Sequence, residues 1–262
     1  MSLKVELHCH TNGDPKDTYI THSAEQLIRL AGQRNYDALA ITNHTQAVYT
    51  KELADMAEDN GVVLIPGMET NVVDGKLVHP VQRKHVLLYG PSDPAVVRAL
   101  NDYSDRRNGD LSFDDIRRLK RDGLVKAVAA PHSNHLAYSL NGSFAEHHDL
   151  FDLVELSWFH TAVKFPESLA AWNPLNRNQA VEAVNKKFGL PYFASSDAHR
   201  LQDFGRAWSR IHADKDLDSI MEALRSRNQT RIELDLEPLL VPEYLAAIPR
   251  LLFPKQYKSL FG

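Results

Sequence analysis

Two histidines stand one residue apart near the start of the chain, in the segment ELHCHTNGDPKD (residues 6–17). His8 and His10 are separated by Cys9, and residues i and i+2 of a β-strand point the same way. Both imidazoles are therefore expected on one face, where they could bind a metal ion, while Cys9 points toward the opposite face. Because the chain contains 13 histidines, the pair alone does not separate a metal site from chance.

Metal-ligating residue types recur at the ends of other short apolar runs. One of them, the His in KHVLLYG, stands at the beginning of its run, and the others follow theirs. In a parallel barrel the carboxyl ends of the strands meet at one mouth, so we expect these side chains to converge. Imidazole and carboxylate without thiolate suit Zn, Mn or Fe. The residues are His44, Glu69, His85, His132, Asp197 and His199.

The short apolar runs alternate with amphipathic segments that predict helices. Ser23 and Gln26 have the spacing of a capping box, and helices are also expected over 178–188 and 217–227. Repeated strand-then-helix units predict parallel strands with right-handed crossovers. About seven such units favour a closed or nearly closed α/β barrel. A doubly wound sheet is the alternative, although no GxGxxG follows the first strand.

Two segments depart from this alternation. The segment NVVDGKLVHP predicts a hairpin that turns at Asp74-Gly75. The Leu- and Pro-rich end of the chain does not continue the pattern. We therefore expect one barrel domain over 1–233 and a C-terminal tail over 234–262 that packs on the barrel as one or two helices.

Composition excludes several classes of protein. Apolar residues make up 43% of the 262 residues, enough for a sizeable core. The net charge of −4 gives no sign of a dedicated nucleic-acid surface. Cys9 is the only cysteine, so no intramolecular disulfide can form, which suits the cytoplasm. No apolar run reaches the roughly 18 residues that a transmembrane helix needs.

Taken together, the segments ELHCHT, ALAITNHT, IPGMET, KHVLLYG, AAPHSNH and FASSDAH resemble the PHP family, named for polymerase and histidinol phosphatase. They occur in the family's order and span roughly residues 4–212. The resemblance implies a distorted (β/α)7 TIM-like barrel with two or three divalent metal ions in its mouth. It also implies a metal-dependent phosphoesterase.

The family pattern implies how the ligands are shared. One metal would take His8, His10, Glu69 and Asp197. A second would take Glu69, His85 and His132, so that Glu69 bridges the two. A third would take His44, His199 and a residue shortly after the first histidine pair.

Two departures from the pattern matter. Many family members carry Asp where this chain has Asn43, so a charged role is lost there and a hydrogen-bonding role remains. The third-site ligand after the histidine pair is open between Asp17, Asp14 and His22. Asp17 is preferred because its distance ahead of the following helix fits best.

Several residues could line the mouth beside the metals. Arg200 is the preferred phosphate-binding residue, and with Glu69, Asp197 and His199 it forms the predicted catalytic set. Glu155 either reaches the site or has a buried hydrogen-bonded role. Further candidates for the mouth or its wall are Asn134, His135, Trp158, Phe159 and the segment 173–178.

The expected activity is hydrolysis of a small phosphorylated metabolite or nucleotide by a metal-activated hydroxide. Two alternatives stay open. One is a metal-dependent hydrolase of C–N bonds, as in amidohydrolase barrels. The other is a metal-binding PHP relative that has lost catalysis.

Overall fold

The structure is a computed structural model that describes residues 1–73, 84–132, 143–157, 178–226 and 233–236. The strands are β1 (Ser2–Glu6), β2 (Ala38–Ile41), β3 (Val63–Val72), β4 (Lys84–Tyr89), β5 (Asp110–Leu111), β6 (Ala127–Ala130), β7 (Leu153–Ser157), β8 (Tyr192–Ser195), β9 (Ala207–His212) and β10 (Glu233–Leu236). The helices are α1 (Ala24–Gln33), α2 (Lys51–Asp59), α3 (Pro94–Arg106), α4 (Phe113–Arg121), α5 (Ser143–Glu146), α6 (Asn178–Asn185) and α7 (Leu217–Arg225). A 3₁₀ turn covers His148–Leu150.

The strands form one sheet in the order β10-β9-β1-β2-β3-β4-β6-β7-β8, and β5 pairs with the end of β3. This sheet curls into a nearly closed barrel with helices around it. The predicted distorted α/β barrel is thereby confirmed. The capping box of α1 is also present, because Ser23 and Gln26 exchange side-chain and backbone hydrogen bonds.

Not all strands are parallel. β4 runs antiparallel to both β3 and β6, and β9 runs antiparallel to both β1 and β10. A strand of opposite direction begins at the edge where its neighbours end. His85, the second residue of β4, therefore lies at the same edge as the carboxyl ends of the parallel strands. The predicted hairpin turn at Asp74-Gly75 lies outside the described residues.

Alternate strand residues fill the barrel interior, and α7 packs against them with Ile220 and Leu224. In the first strand Leu3, Val5 and Leu7 belong to this interior cluster. Cys9 belongs instead to the outer cluster that includes residues of α1. The in-out alternation therefore shifts by one residue after Leu7. This shift puts Cys9 on the helix side, as the sequence predicts.

The barrel closes between β8 and β9 through a side chain. The buried Ser209 hydroxyl accepts the Ala194 N–H at 2.7 Å and donates to the Ala194 carbonyl at 3.0 Å. The Ser209 side chain thus replaces backbone-to-backbone hydrogen bonds between β8 and β9. It pairs with both the N–H and the carbonyl of Ala194.

The chain beyond the barrel is described only in part. β10 pairs with β9 from Glu233 to Leu236, so the sheet continues past the predicted boundary at 233/234. The rest of the predicted tail lies outside the described residues, and the division into domains stays a prediction. In the described part of the chain, no helix has both the length and the apolarity needed to cross a membrane.

Replacing Ser209 by Ala is expected to destabilise the fold by roughly 1–3 kcal/mol, because it strands a buried N–H and a buried carbonyl. Urea unfolding of Ser209→Ala and of the exposed Ser2→Ala control measures this. Equal unfolding midpoints for the two variants would show that the Ser209 bridge does not hold the seam.

Candidate metal centre

One mouth of the barrel collects the predicted ligands. They come from the segments that follow β1, β2, β6 and β8, from within β3 and from the start of β4. Short bridges brace the strand extensions, since Cys9 pairs with Ala198 and His44 pairs with Glu69. The residues gathered here are His8, His10, Asp17, His44, Glu69, His85, His132, Asp197 and His199.

The first group consists of His8, His10, Glu69 and Asp197, and each directs one donor atom at a common point. Five of the six separations among the two histidine Nε2 atoms, Glu69 Oε2 and Asp197 Oδ1 lie between 3.1 and 3.3 Å. The corners of a regular tetrahedron with such edges lie about 2.0 Å from its centre, within the range of Zn²⁺ bonds to nitrogen and oxygen. These four residues fit a tetrahedral metal ion.

Glu69 faces a second group with its other oxygen. Oε1 lies 2.5 Å from His85 Nδ1 and 3.0 Å from His132 Nε2. The carboxylate is buried, and each of its oxygens is surrounded by ring nitrogens. A carboxylate in this position can bridge two cations.

A third group lies beside the first. Asp17 Oδ2 is 2.9 Å from His199 Nε2 and 3.5 Å from His44 Nδ1. The His199 ring also stacks on the His10 ring, with centroids 4.4 Å apart. Asp17, His44 and His199 therefore meet, as the preferred ligand set for a third metal requires.

Asp14 takes a different position from Asp17. Its Oδ2 accepts hydrogen bonds from His10 Nδ1 at 2.9 Å and from the N–H and Nδ1 of His44 at 2.7 and 2.9 Å. Its Oδ1 accepts the backbone N–H of Asp17. Asp14 thus contacts two of the histidines, and its carboxylate also lies within 4.8 Å of donor atoms of His10, Asp17 and His44, so both aspartates stay candidate third-site ligands. His22, the remaining alternative, contacts the His10 carbonyl with Nε2 instead of a ligand side chain.

Two of the candidate ligands have unusual backbone conformations. His132 and Asp197 have φ values of +26° and +46°, in the left-handed region that non-glycine residues rarely adopt. Each such residue costs on the order of 1–3 kcal/mol, and strain of this kind concentrates at functional sites. These two conformations lower the stability of the fold, and they direct the two side chains toward the site.

Charge at the site is tightly balanced. Burial raises the pKa of Glu69, but His85, His44 and His8 outweigh it and hold that pKa well below its usual value. Burial lowers the pKa of His8, but Asp197, Glu155 and Glu69 raise it well above the usual value. The cluster of carboxylates therefore demands positive charge, which either protons or cations can supply.

His85 behaves differently from His8. Burial lowers the pKa of His85 to about 4, although Glu69 lies beside it. Neutral imidazole is the form that binds metals, and the lowered pKa favours that form of His85.

Two buried carboxyl groups lie behind the mouth. Glu155 approaches His8 Nδ1 with one oxygen and the His132 N–H with the other, so it reaches the ligands from behind. Glu6 accepts the backbone N–H groups of His8 and Ser196. Glu6 is not among the residues that the sequence predicts for the site, because an acid inside the run VELHCH gives no signal of where its carboxyl group lies.

Asn43 anchors the loop after the first histidine pair. Its side chain accepts the Thr11 N–H and donates to the Thr11 hydroxyl, both at 2.8 Å. The uncharged Asn43 side chain therefore has the hydrogen-bonding role that the sequence predicts for it.

Arg200 is paired within its own loop. Its Nε and Nη2 atoms each donate to one oxygen of Asp203 at 2.7 Å. This bidentate pair competes with any phosphate for the same N–H groups, so the predicted phosphate-binding role has no support from the geometry. The other predicted mouth residues, Asn134, His135, Trp158, Phe159 and 173–177, lie outside the described residues.

A family model described as PHP-associated matches residues 176–228, which include β8, Asp197 and His199. Over 74 residues the chain is 35% identical to the PolC-type DNA polymerase III of Lactococcus lactis subsp. lactis strain IL1403, an alignment of 28% of this chain and 4% of that protein. Both matches support the resemblance to the PHP family that the sequence motifs carry. The chain spans only a small part of the curated relative's length.

Solved structures share the fold of this protein. A lesion-specific endonuclease from Pyrococcus furiosus aligns with a TM-score of 0.61 at 16% identity, over 88% of this chain and 58% of that one. PsfC from Pseudomonas syringae PB-5123 aligns with a TM-score of 0.57 at 14% identity, over 95% and 99%. An amidohydrolase from Chromobacterium violaceum aligns with a TM-score of 0.51 at 17% identity, over 77% and 89%. At these identities the likeness establishes the fold.

Glu6→Gln is expected to change how the stability of this protein depends on pH. Burial raises the pKa of Glu6 to about 8, despite opposing hydrogen bonds from Ser196 and His8. The folded state thus binds this proton more tightly than the unfolded state, and stability falls as pH rises from about 4.5 to 8 by up to roughly 1.4 kcal/mol per unit.

Glutamine resembles the protonated acid and does not titrate. The free energy of unfolding of Glu6→Gln should therefore increase relative to that of the wild type as pH rises from about 4.5 to 8. Urea unfolding at several pH values measures the difference, with the exposed Glu222→Gln as control. A difference that stays constant with pH would contradict the raised pKa.

Proposed function

We propose that this protein is a metal-dependent hydrolase that cleaves phosphoric esters of a small metabolite or nucleotide. The observation that carries the proposal is the position of Glu69. One of its oxygens faces His8, His10 and Asp197, and the other faces His85 and His132. A carboxylate shared between two groups of imidazole and carboxylate donors is the arrangement of two-metal hydrolases.

The donor set indicates which cations fit. Every donor is an imidazole nitrogen or a carboxylate oxygen, a combination that suits Zn, Mn or Fe. The buried Cys9 thiol donates to the Ala40 carbonyl on the helix side and takes no part. We propose two ions around Glu69 and a third held by Asp17, His44 and His199.

Two neighbouring divalent cations would lower the pKa of a bound water and neutralise nonbridging phosphate oxygens. The residues of the chain supply the frame for this chemistry. Glu69 and Asp197 hold negative charge at the centre, and His8 and His10 close the first group. His199 lies at the more exposed side, between His10 and Asp17, where a substrate can reach it. No serine or cysteine nucleophile is required.

The phosphate is expected to rely mainly on the metals for its counter-charge. The guanidinium of Arg200 is already paired with Asp203, so its predicted role requires that pair to open. The P. furiosus neighbour is an endonuclease, and endonucleases cleave phosphodiesters, so nucleic-acid ends belong among the substrates to be tested. The net charge of −4 favours a small substrate, because nucleic-acid binding draws its affinity from cationic contacts.

A second candidate activity is hydrolysis of a C–N bond. The C. violaceum neighbour with this fold is an amidohydrolase. Parallel assays of phosphoesters against amides and lactams, with the same metal-loaded protein, separate the two activities. Turnover confined to amides or lactams would replace the phosphoesterase proposal, and a loaded protein inert toward both panels would favour a non-catalytic relative.

His10→Ala is expected to lower phosphoester turnover by more than about 100-fold, since even partners behind the ligands typically contribute 10–100-fold. Elemental analysis should show less bound metal per chain. The control is His212→Ala, which removes an exposed histidine at the end of β9. Undiminished metal content and turnover in His10→Ala would refute the assignment of the first group.

Asp17→Ala tests the third metal. The variant is expected to bind one ion fewer per chain and to keep the two ions around Glu69, because Asp17 contacts only His44 and His199 among the ligands. Asp55→Ala, on the exposed face of α2, is the control. An unchanged metal count measured by elemental analysis would rule out Asp17 as a ligand.

A further inference from the structure

Glu155 lies on β7, which contributes none of the proposed ligands, yet it touches both metal groups. Its side chain is fully buried. Oε1 lies 2.8 Å from His8 Nδ1 in the first group. Oε2 accepts the backbone N–H of His132, in the second group, at 2.6 Å. One carboxylate behind the site therefore contacts a member of each group.

The contact to His8 fixes which ring nitrogen faces the centre. Both Glu155 oxygens accept hydrogen bonds, Oε1 from the Ser195 hydroxyl and Oε2 from the His132 N–H, so this side chain faces His8 as an acceptor. Next to Glu155, His8 therefore carries a hydrogen on Nδ1. In the neutral ring Nε2 then has a free lone pair, and Nε2 is the atom that lies 3.1 Å from Glu69 Oε2 and 3.3 Å from Asp197 Oδ1. Glu155 thus selects the tautomer that can bind a cation.

The contact to His132 stabilises the backbone conformation of that residue. His132 has φ +26°, a conformation that surrounding structure must enforce. The hydrogen bond from its N–H to Glu155 Oε2 holds the residue there. Its Nε2 then lies 3.0 Å from Glu69 Oε1, on the second side of the bridging carboxylate.

We propose that Glu155 is a positioning residue that couples the two metal positions on either side of Glu69. This inference rests on the proposed function, since it concerns the same ligands. Glu155 touches no reacting atom. It sets the His8 tautomer with one oxygen and the His132 backbone with the other, so that one side chain controls the occupancy of both positions.

Glutamine is the sharpest substitution, because it keeps the shape of the side chain but has one acceptor oxygen instead of two. If that oxygen faces His8, the NH₂ group faces the His132 N–H and two donors oppose each other. If the side chain turns over, the NH₂ group faces His8 Nδ1 and favours the tautomer with hydrogen on Nε2. Either orientation therefore weakens metal binding at one of the two positions beside Glu69.

The experiment is a titration of the metal-stripped full-length protein with Zn²⁺ against a coloured chelator. The variants are Glu155→Gln and Ser195→Ala; Ser195 also donates its hydroxyl to Glu155 Oε1 but contacts no ligand side chain. We expect Glu155→Gln to lose 10–100-fold in affinity for at least one tightly bound ion. Ser195→Ala is expected to stay within about threefold of the wild type, because both ligand contacts of Glu155 remain.

The outcomes separate this inference from the proposed function. Tight binding by the wild type with equal binding by Glu155→Gln would overturn the role of Glu155 alone. Losses of the same size in both variants would also overturn it, since they would show only a general loss of packing. A wild type that binds no Zn²⁺ would overturn the proposed function and this inference together.

A measurement on the wild type covers the case in which Glu155→Gln does not fold. In a ¹⁵N–¹H spectrum of the Zn²⁺-loaded protein, His8 should show a proton on Nδ1, shifted to low field by its bond to a carboxylate, and a metal-bound Nε2. Hydrogen on Nε2 of His8 would overturn the proposal.

Discussion

The site depends on one buried carboxylate that is shared between two sets of ring nitrogens. Glu69 is the seventh residue of β3 (Val63–Val72), and its two oxygens divide the surrounding histidines into two groups. A lone buried carboxylate is unfavourable unless positive charge or donors surround it. Here every nearby element contributes one. The histidines around the barrel mouth therefore stabilise the buried Glu69 carboxylate. The nitrogen lone pairs of the same histidines can bind cations.

A second layer of carboxylates stands behind this shell. Asp14 holds the Nδ1 atoms of His10 and His44, and Glu155 holds that of His8. The two acids come from different parts of the chain, yet both leave Nε2 of one histidine, His10 for Asp14 and His8 for Glu155, directed at Glu69. A histidine that can rotate or change tautomer is a poor ligand, so this layer matters as much as the ligands themselves. The strained backbone conformations of His132 and Asp197 likewise fix the direction of these two side chains.

Much of this arrangement follows from the sequence. Period-two spacing places His8 and His10 together, and strand ends predict the gathering of distant ligands. The reversal of β4 was not evident, because a single apolar run carries no sign of its direction; His85 nevertheless reaches the mouth from the start of that strand. The Arg200–Asp203 pair could not be foreseen, since the turn that joins residues three apart depends on tertiary context. The positions of Glu6 and Glu155 depend on partners up to 190 residues away in the chain.

The pairing of β1 with β9 has a consequence for how the protein matures. Ser2 stands opposite His212, so the strand that carries the first two histidines gains its second neighbour only from a segment synthesised more than two hundred residues later. Contacts so distant along the chain slow folding. His199 likewise leaves the ribosome long after His8. Because Asp197 also belongs to the first ligand group, that group is complete only after this late part of the chain has joined the barrel.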